Sequence, residues 1–370
     1  MRSNVKSTAL SRPTDYWLLG LALLFAGLGL VMVLSASGVM AERFYHDKYL
    51  FFRKQALYCA CGVICMLVAA RLPRVFFHRF AYLWLILSVG LLALTLTPLG
   101  LSAGGAARWL KFGPVSIQPL EFSKLALVFY LAYFFSQKQG MVKTFSVGFL
   151  PPFLVTGGLC LLLLHQPDFG GAVFLAALLF FMCLVGGTRF SYLLLALFVA
   201  SVGAWRMIVS SPYRFKRLMA FLDPFETARD AGYQLVQSLY AFGSGRIFGA
   251  GLGAGKQKLF FLPEAHNDFI MAVLGEELGF VGVSALFIVL GLFLWRAFRI
   301  ALRQEDLQDR LTAYGAALIL TLGFFLNLAV VMGVAPPKGV PMPFVSYGGS
   351  SLVASFICVG VLLNLSREAA

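Results

Sequence analysis

Residues 262–295 read LPEAHNDFIMAVLGEELGFVGVSALFIVLGLFLW. The later part is apolar for long enough to cross a bilayer, which takes about 20 helical residues at roughly 1.5 Å of rise each. The earlier part carries four of the chain's sixteen acidic residues, Glu264, Asp268, Glu276 and Glu277. Carboxylates at such depth are costly, so they are either paired or functional. On a helix Glu276 lies about 80° and Glu277 about 180° around from Asp268, so the three cannot share one site.

The same apolar signature recurs along the chain. Of 370 residues 60% are hydrophobic and 12% charged, against roughly half and a quarter in a soluble domain. Ten apolar runs stand at 16–36, 52–71, 79–98, 121–137, 147–165, 170–187, 190–209, 267–297, 312–333 and 344–365. In lipid such runs satisfy their backbone as helices, and the short alternating segments of a membrane barrel are missing. The expected fold is therefore an all-α polytopic integral membrane protein of about ten transmembrane helices. The N-terminal run is too long for a signal peptide and reads as an uncleaved first span.

An even number of spans puts both termini on one side. The short segments on the N-terminal side hold 14 of the 30 Lys and Arg residues. About half of the other 16 lie in one long loop, which counts little, so the denser short segments predict cytoplasmic tails at 1–15 and 366–370 around a single domain at 16–365. Residues 99–120 and a long loop at 210–266, between spans seven and eight, then lie outside. Basic residues lie in short segments between apolar runs, so the net charge of +14 points to topology and anionic lipid and not to nucleic acid. The six cysteines form no CxxC pair and no Cys/His cluster, so neither a disulfide framework nor a zinc site is expected.

Six outer motifs carry candidate chemistry. Asn267 and Asp268 read equally as a helix cap and as a half-desolvated carboxylate suited to general-base work. Glu121 and Lys124 in QPLEFSK are spaced i, i+3, either as a helix-end ion pair or lining one cavity with Asp268. Arg108 and Lys111 flank Trp109 and suit a lipid-linked phosphate. Asp168 in HQPDFGGA reads first as a turn and cap. GSGRIFGAGLGAGKQK fails as a nucleotide-phosphate loop on spacing, since Ala250 and Gln257 occupy positions that need Gly and Ser or Thr; its glycines still allow backbone N–H groups near a pyrophosphate. APPKGVPMPFVSYGGSS, at 335–351, is a rigid turn followed by small residues that permit close helix packing. Together these describe an outer polar cavity rich in cations, which suits a lipid-linked phosphate substrate for either a transferase or a transporter.

The same blocks, in order (ARWLKFG, QPLEFSK, HQPDFGGA, FLDPF, GLGAGKQKLFFLPEAHNDF and KGVPMPFVSYGGSS), resemble the SEDS family of bacterial envelope proteins (shape, elongation, division and sporulation). GLGAGKQK and KGVPMPFVSYGGSS are worded more like its cell-division members than its elongation members. The resemblance implies a peptidoglycan glycosyltransferase. Its substrate is lipid II, the undecaprenyl-pyrophosphate disaccharide pentapeptide, and its partners are a class B penicillin-binding protein and other division proteins. It implies placement in the bacterial inner membrane at the septum. Asp268, Glu121 and Lys124 match the family's essential positions, whereas Asn267, Leu120 and Ala107 depart from its usual Thr, Ser and Arg. An α-linked donor and a β-linked product imply inversion, with Asp268 as base. Arg108, Lys111, Arg214, Lys216, Arg217, Lys256, Gln257, Lys258, His266, Lys338 and Ser346 are the substrate-binding candidates. A divalent cation, Mg or Mn, is compatible with this chemistry, and no organic cofactor is implied. The competing readings are a lipid II flippase, an elongation-type polymerase and a scaffold for division proteins. Polar residues crowded at the outer side favour the transferase.

Overall fold

The computed structural model describes residues 14–103, 106–113 and 115–367; most of both predicted tails lies outside the described residues. The helices are α1 (Tyr16–Tyr45), α2 (Leu50–Ala69), α3 (Val75–His78), α4 (Ala81–Leu94), α5 (Pro119–Gln137), α6 (Leu150–His165), α7 (Phe169–Gly186) and α8 (Phe190–Val209), then α9 (Pro212–Leu222), α10 (Tyr233–Gly245), α11 (Ile270–Leu302), α12 (Leu307–Val331) and α13 (Gly349–Ser366). Every expected span falls on a helix. Among the described residues eight helices are long and apolar enough to cross a membrane. The other two expected spans are α4, with 14 residues, and α5, whose 19 residues include Glu121 and Lys124.

Segment 99–120, read as irregular, instead holds a three-stranded antiparallel sheet ordered β1 (Gly100–Ala103), β2 (Ala106–Phe112), β3 (Val115–Ile117). Phe112 pairs with Val115, and Gly113 between them has φ +61°, the left-handed conformation that a tight hairpin connection favours.

Helices α12 and α13 form the centre, with 72% and 78% of their apolar windows buried, against 6% for α8 at the rim. Lipid does not drive helices together, so close packing must. A Cβ on Gly360 of α13 would lie 2.5 Å from the Met66 carbonyl of α2, and one on Gly349 2.8 Å from the Tyr58 ring. Phe25, Phe293, Phe324, Phe344 and Phe356 form a continuous aromatic stack from α1 through α11 and α12 to α13. Phe344 anchors the proline-rich turn 335–348 within that stack.

Both ends of the described chain meet at one end of the bundle. The Asp15 N–H donates to Ser366 Oγ (3.2 Å), and Arg367 Nε donates to Thr14 Oγ1 (2.8 Å). Arg296 of α11 pairs with Asp15 there (2.7 Å). The sheet and the turn bearing Asp268 lie at the other end, where Tyr45, Phe51 and His266 pack in sequence.

Helix α11 is broken at Gly279 (φ +64°, ψ −167°). Its first nine residues are almost wholly buried, while Phe280 beyond the break is 70% exposed. A break frees backbone groups that must find partners inside protein. Residues 245–251 supply them. The Ala250 and Gly251 N–H groups donate to the carbonyls of Glu276 and Glu277 (2.9 and 3.0 Å), and Phe280 and Val281 N–H donate to Arg246 and Ile247 carbonyls (2.9 and 3.0 Å).

Candidate active site

The turn 263–269 sets Asp268 two residues ahead of α11. The helix cap falls at Phe269 and no side chain caps it, so the capping reading of Asn267 and Asp268 does not hold. Asn327 of α12 fixes the turn: its Nδ2 donates to the carbonyls of Asp268 and Val340, both at 2.8 Å. A Cβ on Gly339 would lie 3.1 Å from Asp268 Oδ2 and 3.9 Å from Arg108 Nη1, so only glycine leaves this approach open.

Asp268 lines a cavity of about 1260 Å³. Arg108 enters its wall from β2, Arg214 and Arg217 from one face of α9, and Lys338 from the proline-rich turn. Arg214 and Lys338 each lie 5.8 Å from the centre of the Phe169 ring. Arg108 Nε lies 3.6 Å from Asp168 Oδ1, and its Nη2 donates to the Pro167 carbonyl (3.3 Å). Asp168 caps α7 by accepting from Gly171 N–H (3.0 Å), the structural role its sequence favoured.

Among the described residues no hydrogen bond reaches the Asp268 carboxylate. Burial pushes its pKa up to about 7, the nearby Glu264 charge adds to this, and Arg108 and Arg217 oppose it. Burial also lowers the Lys338 pKa, and that of His266, against Glu264. A carboxyl that titrates near neutrality and is not committed to a structural bond can take a proton in the reaction. The surrounding cations can stabilise a departing phosphate. Among the described residues no group of three or more His, Cys, Asp and Glu side chains forms a metal cage.

The cavity thus gathers five of the predicted residues: Asp268, Arg108, Arg214, Arg217 and Lys338. Others are placed differently. Glu121 and Lys124 pair at 2.6 Å, both buried, with Lys124 Nζ 4.3 Å from the Phe174 ring centre. They lie inside the bundle and do not line the cavity. Lys258 is buried against Glu277 (2.5 Å), and Ser35 donates to the same carboxylate (2.6 Å). The N–H groups of Lys256 and Gln257 donate to Glu276 (2.8 and 3.1 Å). The glycine-rich segment therefore spends the N–H groups of Ala250, Gly251, Lys256 and Gln257 on α11. The two glutamates pin this loop into the helix break.

Ser346 Oγ accepts from Met342 N–H (2.9 Å) within the buried turn. His266 packs against Phe51, ring centres 4.8 Å apart. Lys111 is exposed, and Lys216 is exposed and paired with Asp230. None of these four lines the cavity. Phe169, Asn327 and Gly339 were not singled out from sequence. For Asn327 the available signal was a lone amide in an apolar helix.

A family model described as FtsW/RodA/SpoVE, cell cycle protein, matches residues 16–370. The chain belongs to the FtsW/RodA/SpoVE family. It is 43% identical over 353 residues to a probable peptidoglycan glycosyltransferase FtsW of Trichlorobacter lovleyi, covering 95% of this chain and 93% of that one. It is 38% identical to stage V sporulation protein E of Bacillus subtilis, covering 95% and 97%. Among solved structures it is similar to a chain of a peptidoglycan synthase complex that coordinates polymerization and crosslinking (TM-score 0.80, 29% identity, 96% and 98% covered). It is also similar to the rod shape determining protein RodA of Thermus thermophilus (TM-score 0.69, 28% identity, 96% and 97% covered). The resemblance read from the motifs is thereby established, as is a multi-pass membrane fold of the RodA kind.

Proposed function

We propose that the protein is a peptidoglycan glycosyltransferase that polymerises lipid II during cell division, with Asp268 as general base of an inverting reaction. The observation that carries this is a half-buried carboxyl, titrating near 7, in a cavity whose other charges are mainly cationic. Asp268 accepts the proton of the acceptor 4-hydroxyl. The hydroxyl oxygen attacks the anomeric carbon of the donor from the face opposite the pyrophosphate. The C–O bond to pyrophosphate breaks, and the leaving group carries the electron pair away as a stable anion, so no general acid is required. Arg108, Arg214, Arg217 and Lys338 hold that anion. A magnesium or manganese ion would have to arrive on the pyrophosphate, the usual way such ions bind. The cavity also touches Ala204 and Ile208 of the exposed helix α8, which suits lateral entry of a polyprenyl tail. The site then belongs at the outer face of the inner membrane, at the septum. The termini are cytoplasmic, loop 210–266 is outside, and the single domain spans 16–365. A class B penicillin-binding protein is the proposed partner, together with other division proteins.

The test is glycan synthesis from labelled lipid II by the purified protein with its partner, transpeptidation blocked, beside Asp268→Asn. Long strands from wild type and none from a folded, partner-binding variant are expected. If wild type makes no strands but moves lipid II between liposome leaflets, the protein is a transporter.

A further inference from the structure

The cavity has two chemically different walls. The cationic one gathers around Phe169 and Asp168. The other is uncharged: Tyr58 from α2, Ser116 from β3, Gln118 just before α5, Tyr347 from the turn before α13 and Ser351 from its first turn. This second wall is continuous. The Tyr58 ring packs under Gly349, the Gln118 N–H donates to Ser350 Oγ (3.0 Å), and Tyr347 packs against Phe51 (ring centres 5.1 Å apart).

Among the described residues the hydroxyls of Tyr58, Ser116, Tyr347 and Ser351 and the side-chain amide of Gln118 make no hydrogen bond within the protein. Five neutral groups, all half-buried and able to donate, two of them on aromatic rings, are therefore left to a ligand. Pyrophosphate is recognised by charge. A sugar, with hydroxyls, an N-acetyl amide and an apolar ring face, needs neutral donors, neutral acceptors and aromatic carbon. Asp268 stands between the walls. On one side Arg108 approaches it over Gly339; on the other the Tyr347 N–H donates to the His266 carbonyl (2.9 Å), two residues away.

We propose that the uncharged wall is the subsite for the acceptor sugar, and that Tyr58 and Gln118 position its 4-hydroxyl towards Asp268 while the donor pyrophosphate lies on the cationic wall. This inference rests on the glycosyltransferase reading. It divides the cavity so that the acceptor hydroxyl, beside Asp268, and the pyrophosphate lie on opposite faces of the donor's anomeric carbon, as inversion requires.

The test uses the full chain with its partner and two soluble probes: inorganic pyrophosphate, and the N-acetylglucosamine-containing disaccharide without lipid or phosphate. Binding of each is measured by calorimetry and as inhibition of strand synthesis. Tyr58→Phe, which keeps the ring under Gly349, and Gln118→Ala are expected to weaken disaccharide binding about tenfold, as loss of a hydrogen bond of about 1.4 kcal/mol would, and to leave pyrophosphate binding within about twofold. Arg217→Ala is expected to do the reverse. The assignment is overturned if Tyr58→Phe and Gln118→Ala change neither probe, change both equally, or weaken pyrophosphate alone. If wild type synthesises no strands, the underlying reading fails separately, and calorimetry with the disaccharide still decides the subsite.

Discussion

If Asp268 is the base, activity must follow its ionisation, and neighbouring charges must move the profile in known directions. With a pKa of about 7, the fraction ionised is about one-tenth at pH 6 and about nine-tenths at pH 8. Strand synthesis per lipid II at low substrate, which reports the free enzyme, should rise with pH through 7 and then level. Arg108 holds the pKa down. Its Nη1 and Asp268 Oδ2 lie 3.9 and 3.1 Å from one point over Gly339, so they are within about 7 Å of each other. Two unit charges at that distance interact by about 2.4 kcal/mol at an effective dielectric of about 20. Both groups are partly open to water, so about 1.4 kcal/mol, or one pKa unit, is the reasonable share. Arg108→Ala should therefore move the acid limb from about 7 to about 8, in addition to any uniform loss from weaker pyrophosphate binding. Glu264→Gln should move it the other way, because the Glu264 charge raises the Asp268 pKa. The assay is the initial rate of labelled glycan formation between pH 5.5 and 9 for the three proteins. An acid limb that stays put in both variants, or moves in the same direction in both, would refute Asp268 as the titrating base.

Four further outcomes are expected. Gly339→Val sets a side chain against the Asp268 carboxylate and should cut kcat at least tenfold with little loss of folded protein, checked by strand synthesis and size-exclusion profile. Asn327→Leu leaves two carbonyls unpaired, should cost about 2–4 kcal/mol, and should lower the thermal unfolding midpoint in detergent along with kcat. Lys258→Met strands the Glu277 charge inside the bundle and should cost about 3–5 kcal/mol; adding Glu277→Gln should restore most of the thermal stability. Gly279→Ala forces a Cβ within 2.2 Å of the Gly249 nitrogen and should abolish folded yield, read by fluorescence-detected chromatography.

The sequence made the bundle legible because lipid imposes a simple rule on long apolar runs. It also marked Asp268, a carboxylate directly ahead of such a run. Arg214, Lys216 and Arg217 were alike in the sequence, and only α9 separates them, turning Lys216 out to Asp230. The sheet was missed because its strands are three to seven residues long and sit among glycines. The break at Gly279 was missed because apolar residues continue across it, and only the docking of 245–251 makes it tolerable.

Three lysines near glycine or proline looked alike in the sequence: Lys256, Lys258 and Lys338. What separates them is the reach of a carboxylate supplied from elsewhere in the chain. Lys258 meets Glu277 and is spent on holding a loop. Lys256 stays exposed while its own N–H serves Glu276. Lys338 has no ion pair among the described residues and is held by burial beside Phe169, its charge disfavoured. In a chain this poor in acid, a cation left without a carboxylate inside a cavity is paired only when an anion arrives. That is why Lys338, and not its glycine-flanked counterparts, is the lysine we propose for the phosphate.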